Sequence, residues 1–311
     1  MQQFEPQYIE ALKRILSEGN EVKDRTGTGS IQVFNVNFEY DVSSESLPED
    51  EFFMPALRSR KVFPKSAFTE LVWYLLERTD VKYLNDRGVH IWDGNSSREF
   101  LDSRGLEWIK EGNIGKAYGY QFRNSNGVDQ LLQLMISLSL HDIYPDRRMM
   151  IDLWNTKDLP EMALPPCVYN YNFMVDGGKL HMKMTQRSAD MILGVPANAM
   201  IGTDFLVLMA RWVGLRPGKI AHSITNAHIY NNLIDAAHHT INEYEKNWSD
   251  STVSPRFKLK LNREQQSVVD LNKKLPDAKL MLEDYVNPLE YNDSIEVIEY
   301  DHGPALPKSI S

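Results

Sequence analysis

The sequence predicts a single α+β domain, and three observations carry that prediction. Some segments repeat their apolar residues at helical spacing, and others alternate apolar and polar residues as a half-buried strand does. No internal repeat, low-complexity tract or clean linker divides the 311 residues. The apolar fraction of 42% and charged fraction of 25% are those of an ordinary globular protein, long enough for one large domain or two small ones.

Taken in order, Tyr8, Ile9, Leu12, Ile15 and Leu16 predict a first helix, with Gly19 placed as its C-cap. "DRTGTGS" predicts a loop. Phe34, Val36, Phe38, Tyr40 and Val42 then alternate as one half-buried strand, and "SESLPEDEFFMP" reads as a polar, acidic loop. Phe68, Leu71, Val72 and Leu75 mark a second helix with Ser66 as its candidate N-cap. Val128, Leu131, Leu132, Met135 and Leu138 mark a third. "RRMMIDLW", "VYNYNFMV" and "KLHMKMTQR" read as strands, the last two joined by the turn Asp176-Gly177-Gly178. A largely apolar helix from about Ala199 to Val213 ends at Gly214, and a final helix is placed near Ala227. Residues 262–279, between "RFKLKL" and "EDYVNPLEY", read as a polar surface insertion.

A net charge of −9 argues against a broad basic surface for DNA or RNA, so an anionic ligand must be met by a local arginine cluster. The amphipathic N-terminus, with Glu5 and Glu10, does not read as a signal peptide. The longest apolar stretch, "FLVLMARWVGL", is too short to span a membrane. With one cysteine, the expected setting is a reducing cytoplasm.

That cysteine, Cys167 in "ALPPCVYNYNF", can form neither an internal disulfide nor a metal site by itself. It is either a small buried hydrophobe or a nucleophile. "TQRSADMILGVPAN" sets Gln186, Arg187, Ser188 and Asp190 at a strand end before a Gly-Val-Pro turn. Arg187 and Ser188 suit a phosphate, as a planar cationic donor beside a hydroxyl, and a plain polar strand edge is the alternative. Arg147 and Arg148 are adjacent and point to opposite faces of an extended segment, so one pocket does not use both alike. Arg25 lies in a Gly-Thr loop that lacks the lysine of a P-loop. His228 and Tyr230 share a side if "NAHIY" is extended, and no zinc spacing is present. Glu70, within "AFTELVWYLL", is either on the solvent face or buried with a raised pKa as an acid/base group.

In chain order, "DRTGTG", "ELVWYL", "IWD", "AYGYQFR", "DRR", "PPC", "QRSADMILGVPAN" and "NAHIY" resemble the thymidylate synthase family from about residue 7 to the C-terminus. The resemblance implies a mixed β-sheet forming a homodimer interface, with helices on its other face. It also implies one-carbon transfer from 5,10-methylenetetrahydrofolate to C5 of a uracil nucleotide. Carried over by motif, Cys167 is the thiolate that adds at C6, with Arg187 beside it. Arg25, Gln186, Arg187 and Ser188 bind the nucleotide, and Arg147 and Arg148 reach into the partner subunit's site. His228 and Tyr230 hold the sugar 3′-hydroxyl, while Glu70 and Tyr118 organise proton transfer. Trp92, Asp190 and Gly194 match folate-site positions. Asn198 reads the O4/N3 edge, which implies dUMP, whereas relatives using cytosine nucleotides carry Asp there.

Several positions depart from the family pattern. Val168 follows the cysteine where most synthases have His, as it does in some true synthases. Gly94 replaces the usual acidic or polar residue. Ala197 replaces a Phe that packs on the folate, Asn95 stands where a second Trp is expected, and the tail ends in Ile310-Ser311 instead of an apolar closing residue. The last three remove apolar groups around the folate. Water exclusion decides how the C5 methylene intermediate is resolved, so these losses point to a deoxyuridylate hydroxymethylase of the phage type. A divergent thymidylate synthase is the second reading, a ribonucleotide hydroxymethylase is disfavoured by Ser188 and Asn198, and a catalytically silent nucleotide- or RNA-binding relative is a reading of another class.

Overall fold

The apolar stretch that is too short for a membrane becomes the axis of the fold. Gly194–Trp212 forms one helix of 19 residues, and residues 199–210 within it are all buried. A helix apolar on every side has to be covered on every side. The computed structural model describes residues 1–23, 27–261, 282 and 285–306; the insertion expected at residues 262–279 lies outside the described residues.

In chain order the elements are α1 (Phe4–Glu18), β1 (Asn20–Val22), β2 (Ser30–Asp41), β3 (Glu51–Phe53), α2 (Pro64–Leu75), α3 (Lys82–Asn85), α4 (Arg98–Ser103), α5 (Gly119–Asn124) and α6 (Gln130–Ser139). There follow β4 (Met150–Asp152), β5 (Val168–Asp176), β6 (Lys179–Asp190), α7 (Gly194–Trp212), β7 (Arg216–Tyr230), α8 (Ile234–Asn247), β8 (Arg256–Leu259) and β9 (Ile295–Glu299). Six strands make one sheet in the order β1-β2-β7-β6-β5-β4. Its β6–β7 pair is parallel and the other pairs are antiparallel. This is the mixed sheet with helices on one face that the family resemblance implies: α1 packs on β2, α7 crosses β6 and β7, and α2 lies on α7. A second antiparallel sheet, β3-β8-β9, was not anticipated, and β3 falls inside the segment read as an acidic loop.

Helix termini follow local chemistry. Asp129 caps α6 by accepting from the Leu132 amide at 3.0 Å. Ser66 does not cap α2: the helix begins earlier, with Pro64 at its first position, where a missing N–H costs nothing. Gly19 does end α1, but for reasons of space and not handedness. Its φ is −70°, and a Cβ there would stand 2.3 Å from Ile31 Cγ2.

The sheet's inward face changes parity part-way along three neighbouring strands. Met182, Met184 and Gln186 on β6, Ile220, His222 and Ile224 on β7, and Val36, Phe38 and Tyr40 on β2 all face the helices. Further along, Ala189, Ala227, Ile229 and Val33 are the buried ones, so the odd positions have taken over. Asn35, at φ 59°, marks the change on β2. It corrects the reading of one unbroken alternation, since Phe34 is 74% exposed. The same change leaves Ser188, Asp190, Asn226, His228 and Tyr230 half-buried at adjoining strand ends. Ala227 itself lies in β7, not in a helix. "RPGKIAHSITNAHIY" carries few large apolar residues, so its 15-residue strand was missed, and the last long helix starts at Ile234. No helix among the described residues is long and apolar enough to cross a membrane.

Candidate active site

Cys167 stands at the mouth of β5, where Pro165 and Pro166 bring the chain in extended. Arg187, on the adjoining strand β6, is locked against it. Its backbone N–H donates to the Cys167 carbonyl at 3.0 Å, while Nε and Nη2 donate to the carbonyls of Pro166 (2.9 Å) and Pro165 (3.0 Å). The guanidinium lies over the Trp154 ring and brings Nη2 to 3.9 Å from the Cys167 sulfur. Burial pushes the thiol's pKa up, and the Arg187 charge pulls it down. Proline carbonyls thus hold a permanent cation beside the chain's one thiol, which is the setting a thiolate needs.

A second group meets the same cysteine from α2. Glu70 is buried, which decides between the two alternatives left open by the sequence. Desolvation raises its pKa, while hydrogen bonds from Tyr74 and Trp92 lower it. Tyr74 Oη and Trp92 Nε1 both donate to Oε1, at 2.5 and 2.8 Å. Both bonds land on one oxygen, so the other is left to carry a proton. Trp92 packs edge-on against Tyr118, which stacks on Tyr74 with ring centroids 4.9 Å apart. The Tyr118 hydroxyl accepts from the Cys167 amide at 3.0 Å. Tyr118 sits at φ 33°, a conformation that costs a non-glycine residue energy and is found where surrounding contacts enforce it. An unbroken chain of contacts therefore runs from Glu70 through Trp92 and Tyr118 to Cys167.

The third group gathers where the strand parity changes. Asp190 Oδ1 accepts from the amides of Ile192 (2.8 Å) and Leu193 (3.1 Å), which turns the chain from β6 into α7. Burial holds its carboxyl above the usual range, against the opposing pull of those amides, His228 and Arg60. A Cβ on Gly194 would lie 3.7 Å from Asp190 Cβ and 3.8 Å from Asn198 Nδ2, so these three residues are neighbours. His228 Nδ1 bonds Asn226 Oδ1 at 3.0 Å, and its ring meets Tyr230 edge-on at 5.0 Å, so the two do share a side. Ser188 pairs with Asn226 across β6 and β7. Gln186 is fully buried, bonded to His222.

Arg147 and Arg148 are not brought to this site. Both are exposed in the segment between α6 and β4, and Arg148 donates to Asp146 at 2.9 Å. Arg25 lies outside the described residues. Four contributors escaped the sequence reading. Tyr74 had a signal, lying four residues after Glu70 on one helix face. Asn226 had one too, standing two residues before His228 in "NAHIY", whereas Trp154 and His222 had none, because their partners are distant in sequence.

A family model for thymidylate synthase matches residues 6–311. The chain belongs to the thymidylate synthase family. It is 40% identical over 245 residues to a thymidylate synthase of Herpesvirus ateles, covering 75% of this chain and 81% of that one. It is 38% identical over 244 residues to human thymidylate synthase, covering 74% and 75% of the two chains. A bifunctional dihydrofolate reductase-thymidylate synthase of Leishmania major is 38% identical over 247 residues, which make up 75% of this chain and 46% of that longer one. As a member of the thymidylate synthase family, the chain is an enzyme of one-carbon transfer that uses 5,10-methylenetetrahydrofolate, and the family's reaction is at C5 of dUMP.

Proposed function

We propose that Cys167 adds to C6 of dUMP, that C5 takes a one-carbon unit and loses its proton, that an exocyclic methylene forms with tetrahydrofolate as the leaving group, and that water adds to this methylene as the C6–S bond breaks and Cys167 leaves as the thiolate, giving 5-hydroxymethyl-dUMP. The folate supplies that unit and, were the intermediate reduced instead, the hydride. Arg187 stabilises the thiolate and, with Arg25 and Ser188, takes the 5′-phosphate. Arg147 and Arg148 serve the partner's site, which their exposure far from their own cysteine supports. His228 and Tyr230 hold the 3′-hydroxyl, and Asn198 matches uracil by accepting from N3–H and donating to O4. Glu70 exchanges a proton with the base through its second oxygen, and Tyr118, anchored to the Cys167 amide, assists loss of the C5 proton.

The residues present suit a folate. Ile91, beside the buried Trp92, and Leu193 are exposed apolar side chains, and Asp190 stands beside Gly194. The homodimer would form across the sheet's open face, where Met174 and Met150 are exposed.

The observation that carries the hydroxymethyl product is Ala197. It is half-buried in the first turn of α7, one residue before Asn198, where a methyl replaces the aromatic ring that would keep water from the base. Reductive methylation to dTMP is the second reading, favoured by relatives named thymidylate synthase. One assay separates them: protein, dUMP and methylenetetrahydrofolate, with nucleotide products identified by mass and dihydrofolate followed by absorbance. Hydroxymethyl-dUMP without dihydrofolate is expected, and Ala197→Phe should move product toward dTMP. Stoichiometric dihydrofolate from the wild type would sink the hydroxymethyl reading. Failure of the wild type to form a Cys167-dependent covalent complex would instead indicate a silent relative.

A further inference from the structure

Beyond the parity change, the even-numbered positions of β2, β7 and β6 share one face. Gln32, His228 and Asp190 stand side by side on it, since His228 pairs with Gln32 on one flank and with Asp190 on the other. All three are half-buried. Asn226 lies two residues before His228 on the same face and links two members of this row. Its Nδ2 donates to Gln32 Oε1 at 2.7 Å, and its Oδ1 lies 3.0 Å from His228 Nδ1. The chemistry above uses His228 but neither Gln32 nor Asn226.

The order of these two bonds decides where a proton sits. The Gln32 oxygen only accepts, so it holds the Asn226 NH₂ on its side and turns the Asn226 oxygen toward the ring. That oxygen also only accepts, so His228 Nδ1 must be the protonated nitrogen. A neutral imidazole with its proton on Nδ1 carries its lone pair on Nε2. An amide bears no charge, so it fixes the tautomer without favouring the imidazolium as a carboxylate would. Asp190 is the carboxylate at hand, and its Oδ1 is taken by the amides of Ile192 and Leu193. Tyr230 meets the ring edge-on at 5.0 Å, and a phenol hydroxyl can donate as well as accept.

We propose that Gln32 and Asn226 are positioning residues for the sugar: they make His228 Nε2 an acceptor, so that the site requires a hydrogen-bond donor, a free hydroxyl, at the 3′ position. The proposal rests on the reading of His228 and Tyr230 as the residues that hold that hydroxyl. The 3′-hydroxyl then donates to His228 Nε2 and accepts from the Tyr230 hydroxyl. A 3′ group that can only accept sets lone pair against lone pair at His228, a mismatch that costs binding. The substrate class is thereby narrowed to nucleotides whose 3′-oxygen is not esterified, and a uridylate joined to another nucleotide through that oxygen is refused.

The test pairs nitrogen NMR of the full-length protein, isotopically labelled at its eight histidines, with calorimetric binding of dUMP and of its 3′-fluoro analogue, which can accept but not donate. The His228 signals are identified by their loss in His228→Phe. In mildly alkaline buffer the wild type should carry the proton on Nδ1 and prefer dUMP over the fluoro analogue roughly 10-fold. Asn226→Leu should move the proton to Nε2 and remove most of that preference. Asn226→Asp and Gln32→Glu, which keep the accepting oxygens, should retain both. A wild-type proton on Nε2, a doubly protonated ring, an unchanged tautomer or preference in Asn226→Leu, or loss of either in Asn226→Asp would overturn the proposal. If Asn226→Leu does not fold, an unchanged tautomer in Gln32→Leu overturns it. Should His228→Phe prefer dUMP as strongly as the wild type, the sugar reading of His228 itself falls. A preference lost in His228→Phe but kept in Asn226→Leu removes only the roles of Asn226 and Gln32.

Discussion

At the scale of single residues, Cys167 is under opposed influences whose balance can be measured. Burial raises the thiol's pKa and Arg187 lowers it. Attack requires the thiolate, so reactivity climbs with pH until the thiol's pKa is passed. Removing the Arg187 charge should carry that rise to higher pH. Because the chain has one cysteine, alkylation by iodoacetamide reports this group alone. Arg187→Gln should shift the pH-rate curve upward, and an unshifted or lowered curve would show that the cation 3.9 Å away does not act on the sulfur. The letters of this site were legible in the sequence: Cys167, Arg187 and Glu70 each stand in a short motif. Their states were not. Whether Glu70 is solvated or buried depends on Trp92, 22 residues away, and helical spacing carries no information on that.

At the scale of elements, α7 combines legibility with surprise. Its length and apolarity predict a buried helix, yet one of its fully buried positions is Asp204, with both carboxyl oxygens unpartnered. Burial raises this carboxyl well above its ordinary value, so it is protonated in the fold at pH values where the unfolded chain has released the proton. The folded state then binds more protons than the unfolded one, and stability falls as pH rises from the unfolded to the folded pKa. Asp204→Asn should raise the melting temperature, by a margin that widens as pH rises from the carboxyl's unfolded pKa toward its raised folded pKa. A pH-independent difference, or a lower melting temperature throughout, would mean that the acid form contributes something the amide cannot replace. The strands show the converse limit. Period-two alternation identified β5 and β6, whereas the parity change at Asn35 and the whole of β7 were hidden, because both are set by pairing between segments nearly 200 residues apart.

At the scale of the whole molecule, the exposed pair Arg147 and Arg148 matters most. Neither approaches the cysteine of its own chain, and Met150 and Met174 lie bare on the sheet's open face. If two chains share each site, Cys167→Ser and the double variant Arg147→Glu/Arg148→Glu should each be inactive alone. Mixed after unfolding and refolding, they should regain roughly a quarter of wild-type activity, the share of intact sites in randomly assorted dimers. No recovery in a mixture shown to contain heterodimers would confine the arginines to some other task. The sequence by itself determined the family, the α+β class and the inventory of reactive groups, because these reside in residue identity and in periods read within one segment. Only the tertiary structure decided that Glu70 is buried, that the strands change face beside the site, and that His222 and Gln186 are bonded to each other in the core. Each of those depends on which distant segments pack together, and burial and hydrogen-bond partnership are properties of that packing, not of the local chain.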